Sequence, residues 1–418
     1  MPLLLVRLWR TNTGGGMMRT IGVVTVARSD YGASLPILRR LQADSAFRLH
    51  VIAAGMHLSP EFGLTAKTIE EDGFPIGERV EMLSSSDTPE GIATSMGRGL
   101  QGFARSFARI RPDLVVVFGD RFEMHAAALA ALPFAIPVAH IAGGELTEGA
   151  MDDALRHSMT KLSHLHFVAT EAYAKRVLQL GEAPWRVIVS GAPQLDTIVQ
   201  TTLMSQEELG RVFGLRVDPR PLLVTYHPVT LEHEQTAWQV EELLEALRAA
   251  QQPVVFTMPN ADTSHRVISR LIEAFVRRHA LAQFTPNLGT RGYLSMMRAA
   301  AAMVGNSSSG IIEAPSFELP VVNIGTRQQG RIRAENVIDV GYRREQILEG
   351  IRQALSPQFR ARLRGVVNPY GDGHAAQRIV ERLTTVALDA RLIQKRFVDI
   401  VQPSTSLPME TPAAAHVA

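Results

Sequence analysis

The chain has no cysteine. That removes disulfide frameworks, thiolate nucleophiles and cysteine-based zinc sites from consideration. It also lacks an excess of either charge: 43 Lys and Arg against 41 Asp and Glu leave a formal +2. Such a balance gives no general reason to expect nucleic acid or an acidic membrane as the partner. A long hydrophobic run is missing too. The longest apolar stretch, 126–139, is broken by Pro133 and Pro137, whereas a spanning helix needs about 20 apolar residues. The apolar run near the N-terminus stops at Arg7, short of a signal-peptide core of roughly 7–15 residues. The expectation is a cytoplasmic protein that binds neither nucleic acid nor membrane. No acid precedes Asp30, so a basic targeting segment competes with a plainer reading of residues 1–18. In that reading they are a disordered extension, or the result of a start codon placed too early, with Met17 or Met18 the true start.

What is present is a globular composition, 46% hydrophobic and 20% charged. At 418 residues the chain exceeds the roughly 250–300 at which single cores stop growing, so two domains are expected. From residue 21 short β-branched runs alternate with helical patterns. Strands are expected at 21–26, 49–53, 114–118, 137–141, 166–168 and 187–189, with helices between them, for example 121–131 and 152–161. The pattern restarts with a helix near 205–213 and strands at 222–226, 254–258, 303–305 and 321–324. Unbroken apolar strands alternating with helices predict α/β units with doubly wound parallel sheets. The expected layout is one domain over 19–195 and a second over 205–370. A last helix near 373–395, within a segment 371–398, would cross back to the first domain. A disordered tail is expected over 399–418, and residues 1–17 and the Pro-, Thr- and Ala-rich 402–418 are expected to be dispensable.

Every chemically suggestive motif follows an expected strand, which places all of them at the carboxyl edges where open α/β sheets bind ligands. Gly305-Asn-Ser-Ser-Ser-Gly310 precedes a helix expected to begin near Ile311. Small residues allow close backbone approach, and Ser307, Ser308 and Ser309 add hydroxyls, so the segment suits a phosphate; an ordinary helix cap needs only one serine. Glu313, one turn on, could accept hydrogen bonds from a ribose diol. Arg28-Ser29 follows the first strand and could clamp a phosphate; no G-x-G-x-x-G follows that strand. Asp120 and Arg121 end another strand, one suited to proton chemistry and the other to holding an anion. His140, Glu145, Asp152, Asp153 and Arg156 come next in the chain, with Asp152 or Asp153 expected to cap a helix. Converging carboxylates would raise one another's pKa and supply an acid beside a base. A metal site including His140 is the rival, but no tight ligand spacing such as H-E-x-x-H accompanies it. His227, held extended by Pro228, would face the first domain, where a cationic imidazole could stabilise a leaving phosphate. His164 and His166 read as structural strand residues.

The set RSDYG, GMHLSPEFG, FGDRFE, HIAGGELTEG, MDDALRH, YHPVT, PNAD, GNSSSG and NIGTRQQGR resembles the UDP-N-acetylglucosamine 2-epimerases. The resemblance runs in order from about residue 20 to about 373. It is greatest to the hydrolysing branch, which makes bacterial precursors of sialic acid and related nonulosonic acids. It implies a GT-B-like fold, a UDP-2-acetamido sugar between two Rossmann-like domains, and neither metal nor nicotinamide cofactor. The family reaction expels UDP by anti-elimination through a 2-acetamidoglucal, then adds water to release a free 2-epimeric sugar. By resemblance Asp120, Glu145 and the Asp152/Asp153 pair are the acid/base carboxylates, and His227 assists the diphosphate. Arg28, Ser29, Arg121, Ser307, Ser308 and Arg327 hold uracil or phosphates, Glu313 holds the ribose, and Arg156 touches the sugar or orients a carboxylate. His140, Asn260, Ser309 and Gly310 join the substrate-binding set. One departure stands out: many relatives carry a glutamate where this chain has Ala142, so Glu145 or another acid must take its place. A non-hydrolysing epimerase, a GT-B glycosyltransferase using the same UDP site and a non-catalytic UDP-sugar binder are the alternatives. Retention of UDP on the product marks the first, and need for an acceptor marks the second. A cluster of buried acids beside a diphosphate argues against the third. A homo-oligomer, by default a dimer, is expected.

Overall fold

A computed structural model describes residues 18–399 except 85, 87, 149–150 and 259–264. Asn260 and the two terminal segments expected to be dispensable therefore lie outside the described residues.

Two all-parallel sheets carry the architecture. The first has seven strands in the order β3-β2-β1-β4-β5-β6-β7. They are β1 Arg19–Thr25, β2 Phe47–Ala54, β3 Ile76–Val80, β4 Leu114–Phe118, β5 Val138–Ile141, β6 Leu165–Val168 and β7 Val187–Val189. The second has six in the order β10-β9-β8-β11-β12-β13. They are β8 Leu222–Thr225, β9 Val254–Thr257, β10 Ala282–Thr285, β11 Ala302–Gly305, β12 Val321–Ile324 and β13 Val337–Val340. Helices cover both faces, so the central strands are buried throughout, as β4 shows with Leu-Val-Val-Val-Phe. Full burial of each such valine stabilises by roughly 1.5–3 kcal/mol.

Strands β3, β10 and β13 were not expected from the sequence. All three are edge strands with partly exposed patterns, and β3 (Ile-Gly-Glu-Arg-Val) places two charges among its five residues. An edge strand pairs on one side only, so it needs no unbroken apolar run and leaves a weak signal.

The single C-terminal helix expected over 373–395 is two helices, Ala375–Thr385 and Ala390–Ile393. Ala376, Ile379, Leu383 and Leu392 sink into the core under the first sheet. Asp196 accepts from the backbone N–H of Ala375 and Ala376 at 2.8 and 2.9 Å, fixing the start of the longer helix. Arg186 holds the shorter one through the carbonyls of Leu392 and Arg391, both at 2.7 Å.

Candidate active site

The strand order reverses direction between β1 and β4 and between β8 and β11. Such switch points open crevices at the carboxyl ends of strands, and here the two crevices face each other. Buried Asp30 sets the first turn after β1. It accepts from the Thr25 hydroxyl at 2.6 Å and from the Ala27 N–H at 2.7 Å. Burial nevertheless pushes its pKa up to about 6. At the end of β11, Gly305 has φ 141°, and a Cβ there would sit 2.0 Å from the Thr225 carbonyl oxygen. Only glycine lets the serine loop turn that close to β8.

Three cavities share walls along the cleft. A central one of about 180 Å³ includes Asp120, Glu145, Asp152, Arg156 and Arg331. Ser29 and Ser308 join it to a cavity of about 720 Å³ that Arg28, His227, Ser307 and Ser309 also line. Arg121 and Asp152 join it, on another side, to a third of about 430 Å³.

In the central cavity carboxylates alternate with guanidiniums. Arg156, almost wholly buried, bonds Asp120 through Nη2 and donates from Nη1 to the Ala142 carbonyl at 2.6 Å. Thr147 donates its hydroxyl to Asp120 at 3.3 Å. Glu145 Oε2 lies 3.1 Å from Arg331 and 3.7 Å from Arg156. Burial raises the Asp120 pKa, but Arg156, Arg331, Arg121 and Arg327 together overcome it and leave the carboxyl below its ordinary range. The expected mutual raising of clustered acids therefore fails at Asp120, because the intervening arginines dominate. Glu313 goes the other way: burial and the Glu145 charge push it up to about 7 against the pull of Arg331.

Of the Asp152/Asp153 pair, Asp152 reaches the cavities and Asp153 does not. Neither caps the helix Asp152–Leu162, whose N-cap is Met151. Asp153 instead accepts from the Thr147 N–H at 2.7 Å and pins the loop that carries Glu145. His140 also stands behind the wall. Its Nε2 pairs with the Gly119 carbonyl at 2.7 Å, and burial lowers its pKa to about 3, so it supports the Asp120 turn rather than touching a ligand.

The helix after the serine loop spans only Ser309–Ile312. One turn carries little macrodipole, so an anion there would depend on hydroxyls, loop N–H groups and nearby arginines. Gly310 packs against Val321 rather than facing the cleft. Glu313 lines none of the three cavities, and no ribose contact follows from its position. Arg327 lines the central cavity and donates to the Asn306 carbonyl at 3.2 Å. Arg121 forks onto buried Glu123 at 3.1 and 3.2 Å. His227 faces the large cavity, but burial first, and Arg327 second, hold its pKa well below the usual range. A neutral imidazole, not the expected cation, meets whatever enters.

Several contributors escaped the sequence reading. Asn306 clamps the loop after β8, accepting from the His227 N–H at 2.7 Å and donating to its carbonyl at 2.8 Å. Thr147 and Glu123 support Asp120 and Arg121 from behind. Arg331 closes the segment NIGTRQQGR, and a second arginine in a loop expected at the cleft is the signal for it in the sequence.

Comparison with known proteins identifies the family and the fold. Residues 39–384 match a family model described as UDP-N-acetylglucosamine 2-epimerase. A Campylobacter jejuni protein named GDP/UDP-N,N'-diacetylbacillosamine 2-epimerase (hydrolyzing) is 37% identical over 91% of this chain and 99% of its own length. A Legionella pneumophila protein named UDP-N,N'-diacetylbacillosamine 2-epimerase (hydrolyzing) is 36% identical with the same coverage. The solved structure of UDP-GlcNAc 2-epimerase from Neisseria meningitidis bound to UDP-GlcNAc has a TM-score of 0.75 at 21% identity, covering 87% of this chain and 99% of that one. That likeness establishes the GT-B-like fold. With the family model spanning most of the chain and relatives above 30% identity along nearly all of it, the protein belongs to the UDP-N-acetylglucosamine 2-epimerase family.

Proposed function

We propose that the cleft converts a UDP-2-acetamido sugar and water into UDP and the free 2-epimeric sugar. The observation that carries the reading is Asp120, an acid kept ionised by arginines on the same cavity wall as Ser308 and Arg327. An ionised carboxylate can take the C2 proton while the C1–O bond breaks and its electron pair leaves with UDP. The guanidiniums and the neutral His227 offer N–H donors to the departing diphosphate. Water then adds its hydroxyl at C1 of the 2-acetamidoglucal, and a proton returns to C2 on the opposite face. Asp152 is the acid we assign to that return, since Ala142 supplies none and Glu145 is engaged by Arg331. The wall residues Arg28, Ser29, Ser307 and Ser309 are assigned to the nucleotide. A cytoplasmic homodimer that feeds nonulosonic acid synthesis completes the reading.

A time course in D₂O followed by NMR tests it. Free UDP should accumulate with a free 2-epimeric sugar that carries deuterium at C2. A C2 epimer still attached to UDP would place the enzyme in the non-hydrolysing branch. Turnover that requires an added sugar acceptor would indicate a glycosyltransferase.

A further inference from the structure

Four buried side-chain atoms belonging to the wall of the central cavity have no hydrogen-bond partner among the described residues. They are Nε of Arg156, Nε of Arg331 and the amide oxygens of Gln194 and Gln328. The two guanidinium nitrogens are donors and suit the anion proposed for this cleft. The two oxygens are acceptors and do not suit it, because an amide oxygen and a phosphate oxygen repel each other. Gln328 is the sharper case. It is 1% exposed, whereas Gln194 is half-buried on the helix Pro193–Gln200.

The Gln328 amide is fixed in one orientation. Its Nε2 donates to the Asn306 carbonyl at 2.8 Å, and turning the amide over would set two acceptor oxygens against each other. The Gln328 backbone is held as well: its carbonyl accepts from the Arg331 N–H at 3.3 Å and from Arg333 Nη2 at 3.2 Å. Arg327 Nη1 shares the Asn306 carbonyl at 3.2 Å, so the Gln328 amide belongs to the stretch of wall proposed for the diphosphate. A buried acceptor held this firmly is costly unless something in the site brings it a donor. Beside an anion, that molecule needs one donor for the amide and a second for the phosphate. The acetamido N–H of a sugar carries a single donor and cannot bridge the two. A water molecule carries both and keeps its lone pairs for a carbon atom.

We propose that Gln328 positions the water that adds to C1, in a bridge between its amide oxygen and an oxygen of the expelled UDP while UDP is still in the cleft. The proposal rests on the reading of the cleft as a hydrolysing UDP-sugar 2-epimerase. In the hydration step the C1–C2 double-bond electrons of the 2-acetamidoglucal form the C2–H bond with the proton from Asp152. A water lone pair forms the C1–O bond. The water proton that faces UDP passes to the phosphate oxygen, and the other stays on the new hydroxyl. The amide takes no proton; it aims the lone pair. Gln328 thereby sets how often the intermediate is hydrated rather than lost.

The test follows UDP, free 2-epimeric sugar and free 2-acetamidoglucal by NMR in the native enzyme, Gln328→Met and Gln328→Asn. The substrate is UDP-N-acetylglucosamine or, where that is inert, UDP-N,N'-diacetylbacillosamine. Methionine keeps the volume and removes the amide; asparagine keeps an amide and draws it back by one methylene. Loss of one hydrogen bond to the water should raise the ratio of glucal to sugar about 10-fold in both variants, with UDP still released. A merely structural role would slow UDP release and sugar formation together, so an unchanged ratio in either folded variant would overturn the proposal. A raised KM at unchanged ratio would assign the amide to the acetamido N–H and would overturn it as well. Failure of the native enzyme to release a free 2-epimeric sugar from either substrate while it binds UDP would remove the underlying reading and this proposal with it.

Discussion

Arg331 reaches from the second domain to within 3.1 Å of Glu145 in the first, and both side chains are more than nine-tenths buried. The pair is built from behind by two tyrosines. Tyr173 accepts from the Ile332 N–H at 3.2 Å, Tyr370 donates to the Ile332 carbonyl at 2.9 Å, and the two hydroxyls lie 2.9 Å apart. Tyr173 belongs to the first domain, and Tyr370 immediately precedes the segment expected to return to it. The loop carrying Arg331 is thereby fixed at the carboxylate cluster, and domain closure and the charge state of the cluster become one problem.

Removing Arg331 should therefore act on stability as well as rate. Arg331→Ala leaves Glu145 with Arg156, at 3.7 Å, as its remaining ion partner among the described residues. Breaking a buried ion pair by removing one partner typically costs about 3–5 kcal/mol. A matching drop in the urea midpoint free energy is expected, together with a fall in kcat. Unchanged stability would mean that Arg156 alone satisfies the Glu145 carboxylate.

Asp120→Asn keeps shape and removes the proton acceptor. Turnover should fall about 10²–10⁴-fold, with UDP binding largely retained. Arg156, Arg331 and Arg121 lose a negative neighbour in this variant, so calorimetric UDP affinity should stay or rise slightly. Near-normal turnover would show that the C2 proton goes elsewhere.

Much of this site is legible in the sequence. Asp120, Glu145, Asp152 and Arg156 were placed together because each follows a parallel strand, and strand ends converge by topology. The doubly wound sheets were legible because central strands such as Leu114–Phe118 are unbroken apolar runs. What escaped has physical reasons. Edge strands such as Ile76–Val80 mix charged with apolar residues. The charge state of Asp120 depends on arginines up to 211 positions away in the chain, as Arg331 is, and spacing along one segment cannot reveal that. Asp153 and Asp152 are indistinguishable as letters, but the first helical turn aims one at the cavity and the other at the Thr147 N–H. His227 looked like a cation because burial is invisible in a motif.

The nucleotide side should respond in the opposite sense to Asp120. Ser308→Ala and Arg327→Ala remove groups that line the cavity proposed to hold the diphosphate. UDP affinity in both should weaken, and kcat should drop less than in Asp120→Asn. Loss of a donor at a site of developing charge can cost about 2.7–4 kcal/mol, so Arg327→Ala is the upper case. Calorimetry with UDP on the three variants decides it. UDP affinity lost in Asp120→Asn but kept in the other two would show that the two sides of the cleft are assigned the wrong way round.

Acid should destabilise the protein through its buried histidines. Burial lowers the pKa of His57 to about 4 and those of His140 and His164 to about 3. His166 and His227 are lowered as well. Below the unfolded value near 6.5 the unfolded chain binds protons that the folded chain refuses, so stability falls as pH drops from 6.5 toward 4. Asp30 and Glu313 oppose this, with folded pKa values raised to about 6 and about 7. They hold protons that the unfolded chain has released above about 4, which adds stability as pH falls. His125 and His157 are lowered too, and burial raises Asp196 as well; seven lowered histidines still outnumber three raised acids among the described residues, and each net proton is worth about 1.4 kcal/mol per pH unit. Urea unfolding at pH 7.5 and 5.5 should therefore show lower stability at pH 5.5. His164→Asn should flatten the slope, because asparagine can still accept from the Val138 N–H that now bonds His164 at 3.1 Å. Constant or rising stability toward pH 5.5 would mean that these imidazoles already carry their protons in the folded state.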